Sequence, residues 1–154
     1  MPALTSITLP STNSFRRVGQ GCWTGSTVAW SLEDKEVPLR VCIDAELGYP
    51  TNVEYKLCDA SCNIYLALAC ILGCGVDGIA QQLKLRSILS EATEPAEGVL
   101  CTDIRMALLC LQADTFLLDL LGDKLSKAYV AVKMAEIEQT KDFTLEQELS
   151  AISR

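Results

Sequence analysis

Residues 53–79 read VEYKLCDASCNIYLALACILGCGVDGI, and this stretch limits the fold more than any other. It opens with alternation: Val53, Tyr55 and Leu57 fall on one side of an extended segment, Glu54 and Lys56 on the other. Asp59 and Ser61 then stand where a helix N-cap belongs, ahead of an apolar run over 64–76. The pattern predicts a strand feeding a buried helix, an anchor that fixes where Glu54 and Lys56 point.

That run is 13 residues, shorter than the ~20 a membrane span needs. The net charge of -7 disfavours nucleic acid and anionic membranes as partners. The N-terminal stretch MPALTSITLPSTNSF lacks the basic-then-apolar order of a signal peptide, so a cytoplasmic, soluble protein is expected. Eight cysteines in a chain with 49% hydrophobic residues do not resemble a core-poor disulfide scaffold. Cys58/Cys62 and Cys70/Cys74 are each four apart, yet the chain has no histidine and no CxxC pair. Buried thiols acting as small hydrophobes are the expectation, with a cysteine-based metal module ranked last.

Along the chain, residues 1–12 are expected as an extended lead-in, with Pro2 and Pro10 opposing a helix. NSFRR follows, then the glycine-rich loop GQGCWTG. Strands are predicted over 26–31, 37–43 and 53–57, separated by LEDKE and DAELGYPT. Residues 84–98 form a polar connection ending in EATEPAEG. Beyond it, Thr102 or Asp103 can cap one helix, and Asp114 can cap a second, TFLLDLL, that Gly122 stops. A third helix over 124–140 places Leu125, Ala128, Tyr129, Val132 and Ala135 on one face. Strands first and helices second, without βαβ alternation, predict an α+β fold.

Five charged residues in the β half are candidates for a site: Arg17, Lys35, Arg40, Glu54 and Lys56. Arginine grips phosphate or carboxylate through a two-pronged fork, and a glutamate oxygen suits a hard divalent cation. Taken singly, each is more simply a solvent-facing strand residue.

The order of whole words says more. NSFRR, WTGSTVAWS, PLRV, the stretch over 53–79, and LLGDKLSKAYVAVKMAEIE resemble the C-terminal part of the glutamine synthetase catalytic domain. The WTG loop and the Glu54-x-Lys56 strand are most similar to the branch often fused to an amidohydrolase. The resemblance implies antiparallel strands, half of that family's catalytic barrel, followed by a helical C-terminal region. Within one partial catalytic domain over 1–154, it implies a β part over 1–58, the anchor helix over 59–85 and the helical tail over 99–141. The N-terminal domain and the upstream catalytic half are expected to be absent.

Residue by residue, Arg17 and Lys56 take the positions that bind the substrate glutamate. Lys35 and Arg40 take those that contact ATP phosphates, and Glu54 takes that of a ligand to Mg2+ or Mn2+. The implied reaction is ATP-dependent amide formation from glutamate and ammonia or a related amine, in nitrogen metabolism, by a homo-oligomer or in association with full-length relatives. The chain departs from the family at Trp23, where a flap glutamate is usual. It also departs at Lys35 and Lys56, which replace arginine, at Asn52, and at Ile64, which replaces a helix-opening proline. One carboxylate does not hold a multi-metal site. A C-terminal fragment inactive alone is therefore expected, and the alternative is a non-catalytic nucleotide-binding remnant or an assembly partner.

Overall fold

The computed structural model describes residues 1–19, 21–86, 88 and 98–152. The predicted EATEPAEG connection lies, except for Gly98, outside the described residues.

The lead-in is not extended. Residues Pro2–Thr8 form helix α1 with the proline in its first turn, where its fixed φ suits a helix and its missing N–H costs nothing. Ala3, Leu4 and Ile7 bury against α3 (Ile104–Ala113). The buried Ser6 and Thr8 hydroxyls donate to carbonyls of their own helix, Ala3 O at 2.8 Å and Leu4 O at 3.2 Å. These bonds let hydroxyls enter the core without orphaned donors.

A 3-10 turn, Asn13–Arg17, leads to a sheet of β1 (Trp30–Leu32), β2 (Leu39–Ile43) and β3 (Pro50–Tyr55), in that order. The α+β expectation holds, with one correction to the antiparallel strands: the sheet is mixed. β2 and β3 pair antiparallel, but β1 runs parallel to β2, Trp30 opposite Leu39. β1 is only three residues long, so the short return over 33–38 suffices to bring the chain back to its start. The strand predicted over 26–31 is correspondingly reduced; before Trp30, Thr27 makes only an isolated bridge to Val99. Gly25, at φ +70°, lies so close to the return that an added Cβ would sit 2.6 Å from the Glu36 carbonyl oxygen.

The anchor helix α2 spans Ile64–Ala80, and its cap is Asn63 rather than Asp59 or Ser61. The Asn63 carbonyl oxygen accepts from Tyr65 N at 3.0 Å and Leu66 N at 3.3 Å. Asp59 and Ser61 are occupied with each other: Asp59 Oδ1 accepts from Ser61 N at 2.9 Å and from its hydroxyl at 2.5 Å. Nor is α2 buried throughout. Ala67 and Cys70 enter the core, while Tyr65, Leu72, Val76 and Ile79 are 64–82% exposed. Its covered side meets α1 and α4 (Thr115–Leu121). There Gly73 leaves room for Leu120, whose Cδ2 would lie 2.4 Å from a Cβ.

Asp103 and Asp114 cap α3 and α4 through Met106 N and Leu117 N, and Gly122 ends α4. In α5 (Asp123–Thr140) the packed side differs from the predicted face: Ser126 and Ile137 are buried, whereas Leu125 and Val132 are 42% and 55% exposed. Tyr129 does face inward, its hydroxyl donating to Ser6 O at 2.7 Å. Beyond the predicted tail lies a further helix, α6 (Leu145–Ile152). It opens with a reciprocal cap in which Thr144 N donates to Gln147 Oε1 and Gln147 N to Thr144 Oγ1. No helix among the described residues is long and apolar enough to cross a membrane.

Candidate functional site

Antiparallel register fixes the first contact. Arg40 in β2 stands directly opposite Glu54 in β3, and cross-strand partners share a face. Arg40 Nη2 donates to Glu54 Oε1 at 2.9 Å, a bond that raises the guanidinium pKa further above its ordinary value. Arg40 Nε is buried with no nitrogen or oxygen partner, beside the Cys42 thiol.

Lys56, two residues past Glu54, returns to that face by strand alternation. Lys56 N donates to Pro38 O at 2.9 Å, which carries the pairing beyond β3. Its ammonium donates to the Lys35 carbonyl. The Lys35 ammonium in turn lies 5.4 Å from the centroid of the Trp23 ring, a cation–π distance. Trp23 holds φ +60°, a left-handed conformation unusual for a large side chain, within the loop that delivers it there.

Arg17 belongs to a separate cluster. Its Nη2 donates to Asp59 Oδ2 at 2.8 Å, joining the 3-10 turn to the connection between β3 and α2. Burial would raise the Asp59 pKa. Hydrogen bonds from Ser14 and from the Ser61 side chain and backbone, with the Arg17 charge, outweigh it and hold the carboxyl below its ordinary value. The structure therefore brings Arg40 to Glu54, the Lys56 ammonium to the Lys35 carbonyl, and Arg17 to Asp59, a residue whose sequence position suggested only a helix cap. A cavity of about 610 Å3 lies elsewhere, between α5, α6 and residues 10–12.

A divalent metal at Glu54 does not fit the described residues on their own. Its carboxylate oxygen is held by Arg40, and no group of three His, Cys, Asp or Glu gathers among the described residues. A hard cation takes about six oxygen ligands.

A mixed three-stranded sheet carrying the Arg40–Glu54 ion pair, joined past the Arg17–Asp59 ion pair to a capped helix and a helical tail, defines an α+β catalytic-domain module. Residues 1–152 match the profile of glutamine synthetase, catalytic domain, and the chain belongs to that family. It is 32% identical to the glutamine synthetase of Methanocaldococcus jannaschii over 87% of its own length and 31% of the relative's. Protein fluG of Emericella nidulans is 33% identical over 88% of the chain and 16% of the relative. The gamma-glutamylpolyamine synthetase GlnA3 of Streptomyces coelicolor is 32% identical over 88% and 32%. A crystal structure of a glutamine synthase homolog superposes with TM-score 0.78 at 29% identity, covering 96% of this chain and 34% of that one. The chain thus spans about a third of the length of the glutamine synthetases it matches.

Proposed function

We propose that this chain forms the C-terminal wall of a glutamine synthetase-type, ATP-dependent ligase site. Arg40 and Lys35 hold ATP phosphates, while Arg17 and Lys56 hold the carboxylates of glutamate. In the reaction this wall serves, the γ-phosphoryl group moves from ATP to a γ-carboxylate oxygen. The nitrogen of ammonia or a larger amine then attacks the acyl carbon, the carbon–oxygen bond to phosphate breaks, and the nitrogen loses a proton. Positive groups on the wall stabilise the charge on the transferred phosphoryl group. Lys35 and Lys56 offer point charges where arginine would offer a fork, which loosens orientation more than charge.

The observation that supports this reading is the match of residues 1–152 to the glutamine synthetase catalytic domain, with Arg40 and Glu54 paired in register on adjacent strands. Glu54 by itself does not supply a metal site, so the isolated chain is expected to bind nucleotide without turning it over. A titration calorimeter tests this with ATP and with the variant Arg40→Ala. Saturable millimolar binding, weakened about tenfold in the variant, is expected from loss of a charge-assisted contact. Absence of heat with ATP, or an unchanged affinity in Arg40→Ala, would refute it.

The exposed apolar side of α2 favours a second reading, in which the chain docks on a full-length relative as an assembly partner.

A further inference from the structure

The turn between β3 and α2 carries two thiols that ligase chemistry does not use. Cys58 Sγ and Cys62 Sγ lie 3.5 Å apart, and both are free and half-buried. The turn between them is tight: Cys62 N donates to Asp59 O at 3.2 Å, and Asp59 Oδ1 takes both the Ser61 N–H and hydroxyl. Asp59, the residue next to Cys58, also holds Arg17 at 2.8 Å. Cys101 and Cys110 make another pair at 3.8 Å, but Cys101 is 3% exposed and reagents reach it less easily.

We propose that Cys58 and Cys62 form a thiol-modification site, an accessible dithiol that a small-molecule disulfide closes into a disulfide around Asp59. One protein thiolate attacks the small disulfide and expels one small thiol; the second protein thiolate attacks the mixed disulfide at the protein sulfur and expels the other. Two protein thiols are oxidised by two electrons, their protons pass to solvent or to the leaving thiolates, and one disulfide is reduced to two thiols. A disulfide bond is ~2.0 Å long, so the sulfurs approach by about 1.5 Å. Asp59, Ala60 and Ser61 alone lie between the two cysteines, and their backbone takes up that movement. The Arg17–Asp59 contact is thereby tied to thiol state. Any effect on glutamate binding rests on the role proposed for Arg17; the disulfide does not.

The test treats the whole chain with oxidised glutathione under native conditions, then blocks remaining thiols with N-ethylmaleimide in denaturant, where buried thiols are reached. Peptide mapping should find Cys58 joined to Cys62, while Cys70 and Cys74 carry the label. The Arg17 guanidinium NMR signal should shift on oxidation of the wild type and of Cys101→Ser, but not of Cys62→Ser. Label on both Cys58 and Cys62, or glutathione retained on either, overturns the site. A Cys58–Cys62 disulfide that leaves the Arg17 signal unmoved overturns the coupling. Phenylarsine oxide, which bridges neighbouring thiols without oxidising them, should bind in a Cys62-dependent manner; failure to bind overturns accessibility of the pair.

Discussion

Gly25 and Gly48 share φ +70° but not their surroundings, and the contrast isolates one contact that shapes the site. An alanine at either position pays the left-handed backbone strain, about 1–2 kcal/mol. At Gly48 nothing lies within 4 Å of the new Cβ, so strain is the whole effect. At Gly25 the Cβ would meet Glu36 O at 2.6 Å and Pro38 Cδ at 3.3 Å, and the first of these is backbone that cannot rotate aside. Overpacking of that kind adds about 1–3 kcal/mol. Gly25→Ala should therefore cost about 2–5 kcal/mol against about 1–2 for Gly48→Ala. With a urea slope of roughly 1–3 kcal/mol per molar, the two midpoints should separate by on the order of 1 M. Urea unfolding followed by circular dichroism measures this. The displaced return should also part Trp23 from Lys35, which tryptophan fluorescence in the folded variant reports. Coincident midpoints for the two variants would show that the return over 33–38 is not held against the glycine loop.

Three further outcomes follow from the same coordinates. The Asp59 carboxyl titrates below its ordinary value when folded, so its contribution is present above about pH 4 and is lost as pH falls through the folded pKa. Asp59→Asn should flatten the acid limb of stability against pH, and an unchanged limb would deny the Arg17 and Ser14 contacts. Burial pushes the Cys58, Cys70 and Cys101 thiols up to about 11, so stability should fall between about pH 8.5, where unfolded thiols ionise, and pH 11; urea midpoints across that range check it. The stripe of Leu72, Val76 and Ile79 on α2 should make the chain self-associate, and Leu72→Glu should shift its sizing-column elution toward the monomer. A wild-type chain that stays monomeric at high concentration would show that this face needs no cover.

Much of this was legible locally. The Asp103 and Asp114 caps and the Gly122 stop each depend on residues within one turn, and the structure retains them. The Thr144–Gln147 capping box of α6 was equally local and equally readable. Where two local options competed, sequence did not choose. Asp59, Ser61 and Asn63 can all cap a helix; Asn63 does so, while Asp59 is held by Ser61 and by Arg17, 42 residues away in sequence. Pro2 reads as a helix breaker or as a first-turn proline, and the apolar surface of α3 settles it in favour of the helix.

Alone, the sequence determined the class of the fold, the family and the charged residues that could form a site, because those rest on periodicity, caps and word order. Tertiary structure alone decided which partners the charges meet: Arg40 with Glu54 through strand register, the Lys56 ammonium with the Lys35 carbonyl and the Lys35 ammonium with the Trp23 ring through the return of a short loop, and Arg17 with Asp59. The reason is that a contact between distant residues is set by how elements pack and in what register, and no pattern within either residue's own segment encodes its partner.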